Sequence, residues 1–89
     1  MSVSSGKVTV GTAATEIPVT SNMPWTLEVK NDDNTDAVYV GGAAVTTATG
    51  LRLSKEERVE LPMGPLDRLY AVSTKAGHSV SYVAVRKAV

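Results

Sequence analysis

Twenty-five of the 89 residues carry a branched β-carbon: 14 Val, 10 Thr and one Ile. Side chains stiff at χ1 fit a pleated surface and are mildly unfavourable in helices, so this chain is built for strands. Its hydrophobic pattern agrees, because no window sustains the i, i+3, i+4, i+7 spacing of an amphipathic helix. Alternation recurs instead. Trp25, Leu27 and Val29 alternate with Thr26, Glu28 and Lys30; Val59 and Leu61 with Arg58 and Glu60; Val83 and Val85 with Ala84 and Arg86. Each reads as a half-buried antiparallel strand with the first set facing inward.

Turn chemistry divides the chain at regular intervals. Strands are expected near 6–11, 14–20, 24–31, 36–41, 50–53, 57–62, 67–74 and 78–87. Between them stand Ser21-Asn22-Met23-Pro24, Asn31-Asp32-Asp33-Asn34, Gly41-Gly42, Pro62-Met63-Gly64-Pro65 and Lys75-Ala76-Gly77, all rich in turn formers. Seven or eight short strands at this spacing predict an all-β fold, a single antiparallel β-sandwich or small barrel over residues 6–89. Pro18 cannot donate to a ladder and places its strand at a sheet edge. Val80 and Tyr82 run out of phase with Val83 and Val85, which predicts a bulge or a strand covered on both faces. Residues 1–5, small and polar, are expected to form a flexible arm.

Several functions are excluded by residue type. Nine Lys and Arg balance nine Asp and Glu, so charge alone would hold the chain on neither nucleic acid nor an anionic membrane. With no Cys and a single His, His78, a disulfide framework, a thiolate metal site, a cysteine nucleophile and any two-imidazole site are all ruled out. No run of apolar residues reaches bilayer length. The N-terminal six residues lack the apolar core of a secretory signal, which fits a protein made in a cytoplasm.

The local motifs favour structural readings. Asp32, Asn34 and Asp36 have the spacing of calcium-loop ligands, but Ala37 and Ala43 occupy the positions of the required Gly and Glu; a polar hairpin turn is expected. Gly41-Gly42 precedes neither a helix nor a Lys-Ser/Thr pair, so it is a bend rather than a phosphate cradle. Ser54-Lys55-Glu56-Glu57 has capping-box spacing, yet a strand follows, which predicts a solvated hairpin turn. His78 follows Gly77 at a strand start with no acid or nucleophile motif around it, the setting of an exposed turn histidine. Asp67, Glu16, Glu28 and Glu60 fall singly on polar strand positions, so no carboxylate pair is specified. No catalytic residue, cofactor or metal is expected. One Trp and three Tyr are too few for a stacking platform. Trp25 reads as core, Tyr39 and Tyr70 as fillers near a sheet margin, and Tyr82 as available.

Val38-Tyr39-Val40-Gly41-Gly42, Val45-Thr46, Gly50-Leu51, Leu53, Glu57, Leu61-Pro62, Gly64-Pro65-Leu66-Asp67 and Leu69-Tyr70-Ala71-Val72-Ser73 form a series that resembles a pattern in small structural proteins of tailed bacteriophages. There a strand ending in Val-Gly-Gly leads through Val-Thr and a polar loop to a Gly-Leu strand. A leucine-proline corner and a Leu-Tyr-Ala-Val strand follow. One departure is that the turn before Glu57 often carries Gly in the pattern, where this chain has Lys55-Glu56. The resemblance implies a non-enzymatic virion component, a decoration or cement protein on the outer capsid lattice. Its implied partner is the major capsid protein or another virion protein, and it implies a homo-oligomer such as a trimer. Ser2, Val3, Ser4 and Ser5 would dock on the shell by strand addition, with Thr46, Thr47 and Thr49 as further contacts. The alternatives are a tail, baseplate or fibre receptor-binding module and a small carbohydrate-binding sandwich.

Overall fold

The computed structural model describes residues 2–32 and 36–86. The described residues form eight strands: β1 (Ser2–Val10), β2 (Thr15–Glu16), β3 (Trp25–Asn31), β4 (Val38–Gly41), β5 (Leu51–Leu53), β6 (Arg58–Met63), β7 (Tyr70–Ser73) and β8 (His78–Arg86). They form two four-stranded sheets, in the orders β1-β8-β3-β6 and β2-β7-β4-β5, with every pairing antiparallel. Among consecutive strands only β4 and β5 are hydrogen-bonded neighbours. That order, with the first strand beside the last, is the jelly-roll form of the β-sandwich.

The sheets meet over one core. Trp25, Leu27 and Val29 from β3, Val80 and Ala84 from β8, and Val10 from β1 face Val38, Val40, Leu53 and Ala71 from the second sheet. Ile17, Val19 and Leu69 close the space beside them. Burying each Val or Leu contributes about 1.5–3 kcal/mol before the entropy of ordering is counted. The chain exposes 5045 Å², close to the roughly 5,000 Å² expected for a compact 9.3 kDa protein.

Proline marks the edges. Pro18 follows β2, an edge strand, where Ile17 donates to Leu69 O at 2.8 Å and Val19 donates back across the proline to Ile17 O at 2.7 Å. Pro62 lies in β6, another edge.

Four expectations are corrected. β1 begins at Ser2, and Ser2, Val3, Ser4 and Ser5 pair with Arg86, Val85, Ala84 and Val83, so residue 6 is not where strand structure starts. The polar turns around Asp32 and Ser54 are crossovers between sheets rather than hairpins, because β3 and β6 belong to one sheet and β4 and β5 to the other; Asp33, Asn34 and Thr35 lie outside the described residues. β8 carries no bulge: its register is unbroken against both β1 and β3. Its inward residues are His78, Val80, Tyr82 and Ala84, so Val83 and Val85 face outward. Two valines flanking one alanine misstate the phase because size, not side-chain type, decides what fits beneath the central strand.

Turn geometry explains parts of the sequence pattern. Val45 is buried between two glycines: a β-carbon on Gly41 would lie 2.9 Å from its Cγ2, and one on Gly50 would lie 2.8 Å from it and from Tyr39 Cβ. Glu56 has φ 56° and Leu66 φ 62°, left-handed backbone that side chains with a β-carbon adopt at a cost of roughly 1–2 kcal/mol. The resembled pattern often carries Gly in the turn that contains Glu56. Leu66→Gly is therefore expected to raise unfolding free energy by about 1 kcal/mol, and Gly50→Ala to lower it by about 1–3 kcal/mol through overpacking. Urea denaturation of the two variants checks both signs.

Candidate assembly surface

Among the described residues, one constellation with the look of catalytic chemistry is closed to solvent. Ser73 Oγ lies 2.8 Å from His78 Nδ1, and His78 Nε2 lies 2.6 Å from Asn31 Oδ1. Asn31 Nδ2 donates to Asp36 O at 2.9 Å, Leu53 O at 3.0 Å and Ser54 O at 3.1 Å. With the amide nitrogen spent on carbonyls, Asn31 Oδ1 is the acceptor, so His78 Nε2 donates to it. Ser73 is 1% exposed and His78 and Asn31 are 0% exposed, so no substrate reaches the hydroxyl. The expected exposed turn histidine is instead a core residue. Asn31 and His78 come from one sheet, Ser73 and Leu53 from the other, and the chain of bonds clamps one end of the sandwich.

The aromatic side chains are likewise structural. Trp25, 4% exposed, donates through Nε1 to Gly64 O at 3.1 Å, as befits a buried indole. Tyr82, expected to be available, packs against the core, and its ring lies across Gly6, where a β-carbon would come within 2.7 Å of the hydroxyl. Tyr39 and Tyr70 are half-buried.

Charged groups pair at the surface. Arg68 and Tyr70 both donate to Glu16, the tyrosine at 3.3 Å, and Lys75 lies 2.9 Å from Asp36. These are exposed pairs of small energetic weight. Asp67 caps its own turn, accepting from Gly64 N at 2.8 Å, and Glu57 accepts from Ser54 N at 2.7 Å. Among the described residues no three His, Asp or Glu side chains converge in a metal-binding group.

The predicted contact residues fall on two edges. Ser2 to Ser5 lie on β1, an outer strand of the first sheet. Thr46, Thr47 and Thr49 lie in the β4–β5 loop beside the opposite edge of the second sheet, and all three are exposed. The Thr46 and Thr49 hydroxyls are engaged within the loop, 3.1 Å from each other, and Thr46 N donates to Thr49 Oγ1 at 3.0 Å. Both segments nevertheless lie toward the same end of the sandwich, away from the His78 clamp. Val3 pairs with Val85 far from His78, and the β4–β5 loop follows Gly41, which pairs with Tyr70 rather than Ser73.

Exposed large apolar side chains, which composition did not reveal, gather toward that end. Val3 is 62%, Leu51 53% and Leu66 68% exposed. Leu66 follows the β6 terminus, where Met63 pairs with Trp25, and Leu51 pairs with Val40. They stand on three different elements, β1, β5 and the β6–β7 turn, and each is an apolar side chain that a protein contact would bury. One available signal was the Gly64-Pro65-Leu66-Asp67 turn, in which a leucine stands where polar or glycine residues are usual.

No protein-family model matches the chain, and no curated protein matches it. Among solved structures the chain is similar to one from Bacillus endospore appendages, described as a novel family of disulfide-linked pili. The TM-score is 0.55 at 15% identity, over 97% of this chain and 89% of that one. The likeness shows a shared all-β fold.

Removing the clamp should be expensive for folding. Asn31→Ala strands an imidazole N–H and several carbonyls in the core, and is expected to cost about 3 kcal/mol. Denaturant unfolding of the variant measures it; a loss within experimental error of zero would contradict the clamp.

Proposed function

We propose that the chain is a non-enzymatic structural protein of a tailed-bacteriophage virion, a decoration subunit seated on the outer capsid. Its partner is the major capsid protein or another virion protein, and it acts in the virion after synthesis in the host cytoplasm. What supports this reading is the gathering of Val3, Leu51 and Leu66 at one end of a closed sandwich, together with the sequence resemblance over Val38 to Ser73. A lattice-binding protein needs a rigid scaffold and an apolar contact repeated many times, and multiplicity then supplies strength that each small contact lacks. The polar side chains best suited to catalysis are sealed in the core, which fits a scaffold rather than an enzyme.

A second reading is favoured by the fold likeness: a subunit that assembles with copies of itself into an extracellular appendage. The similar structure's family is described as disulfide-linked, whereas this sequence has no Cys, so contacts among these residues would use no disulfide.

Electron microscopy of the purified chain mixed with empty phage shells separates the readings. Decoration predicts extra density at regular lattice positions, and Leu66→Asp, a surface change, should weaken it about tenfold or more while the fold persists, as loss of an apolar anchor does. Bare shells beside filaments of the chain alone would move the assignment to an appendage subunit. Bare shells with saturable binding to cells or glycans would move it to a receptor-binding module.

A further inference from the structure

We propose that β1 pairs antiparallel with β1 of a second copy of this chain, about a two-fold axis at Gly6, joining two sheets into one of eight strands. The proposal names a self-contact for the structural-subunit reading and rests on that reading only for its biological use; the geometry stands on the strand itself.

The four sheet edges differ in how they are defended. β2 has two residues and is followed by Pro18, and β5 has three. β6 contains Pro62, which has no N–H to offer, and presents Arg58 and Glu60 outward. β1 has nine residues, no proline and, among the described residues, a full-length ladder to β8 on one side only. Lys7 is its one outward charge, and a long edge with no proline and no charge but this one is a template for another strand.

The sequence of β1 is complementary to itself in one register. Pairing each residue i with 12−i matches Val3 with Thr9, Ser4 with Val8, Ser5 with Lys7 and Gly6 with Gly6, and uses all of Ser2–Val10. Residues directly opposite share a face in an antiparallel pair, and here even positions meet even and odd meet odd. Val8 and Val10, which turn toward the core, therefore stay on the inner side, while Val3, Ser5, Lys7 and Thr9, all exposed, stay outside. The only charge on the strand, Lys7, lies opposite Ser5 rather than another cation. At the axis Gly6 presents no side chain, and Tyr82 from β8 already covers its inner side.

The absence of Cys from the chain makes introduced thiols a direct readout. Ser5→Cys and Lys7→Cys are prepared separately in the full chain, at exposed positions, and each is confirmed folded by its thermal melt. Sedimentation equilibrium of the unmodified chain should then show a concentration-dependent rise to twice 9.3 kDa. Mild oxidation of the two variants mixed should yield the Ser5Cys–Lys7Cys cross-link in excess of either like pair, and a Val3→Cys with Thr9→Cys mixture should behave the same way. A Glu60→Cys variant should not cross-link to Ser5→Cys. A chain that stays monomeric at millimolar concentration overturns the proposal, as does a predominant link from β1 to β6 or a like pair exceeding the mixed one. Shell decoration can fail while the cross-link forms, or succeed without it, so the two readings fall separately.

Discussion

Asn31, His78 and Ser73 tie two sheets that share no backbone hydrogen-bonded edge. A sandwich of this size has little apolar area to spare, and its sheets are further held by side-chain packing and by a backbone bond from Ser73 N to Gly11 O at 2.9 Å, just past β1. A fully partnered polar chain in that setting fixes how the sheets sit, since every slip in register leaves a donor or acceptor stranded away from water. Asn31 serves as the branch point, taking the imidazole hydrogen on one side and capping the carbonyls of Leu53, Ser54 and Asp36 on the other. The two short crossovers that begin beside it, after β3 and after β5, are thereby anchored.

With one end closed in this way, the molecule is polarised. At the His78 end Asn31, Ser73 and His78 spend their side-chain polar groups on one another and on backbone carbonyls. At the opposite end Trp25 is capped by the Gly64 carbonyl, and the turn that supplies this cap lifts Leu66 into solvent in a left-handed conformation. Strain and exposure on one leucine are two separate penalties to an isolated chain. A contact that buries Leu66 removes the second and gives the first a reason, which is why the interaction reading centres on this end.

Much of this was legible in the residues. Alternation and turn formers located all eight strands, and Pro18 identified an edge, because side-chain period and proline chemistry are local properties. Strand partnership was not legible: a polar turn is compatible with a hairpin or with a crossover to the facing sheet, and only the β4–β5 connection is a hairpin. The phase of β8 was misread because Val83 and Val85 are bulkier than Ala84, although His78, Val80 and Ala84 share one face. The same parity held the clue to the clamp, since Asn31 continues the inward set Trp25, Leu27 and Val29. Residues 2–5 looked like an arm because small polar residues say nothing about a partner strand 80 positions away.

Hydrogen–deuterium exchange, compared between the free chain and the chain bound in its assembly, tests the polarised account most directly. The account predicts new protection concentrated at residues 2–10, 46–51 and 64–67, with the turns around Ser54 and Lys75 unchanged. New protection confined to the turns around Ser54 and Lys75 would contradict it.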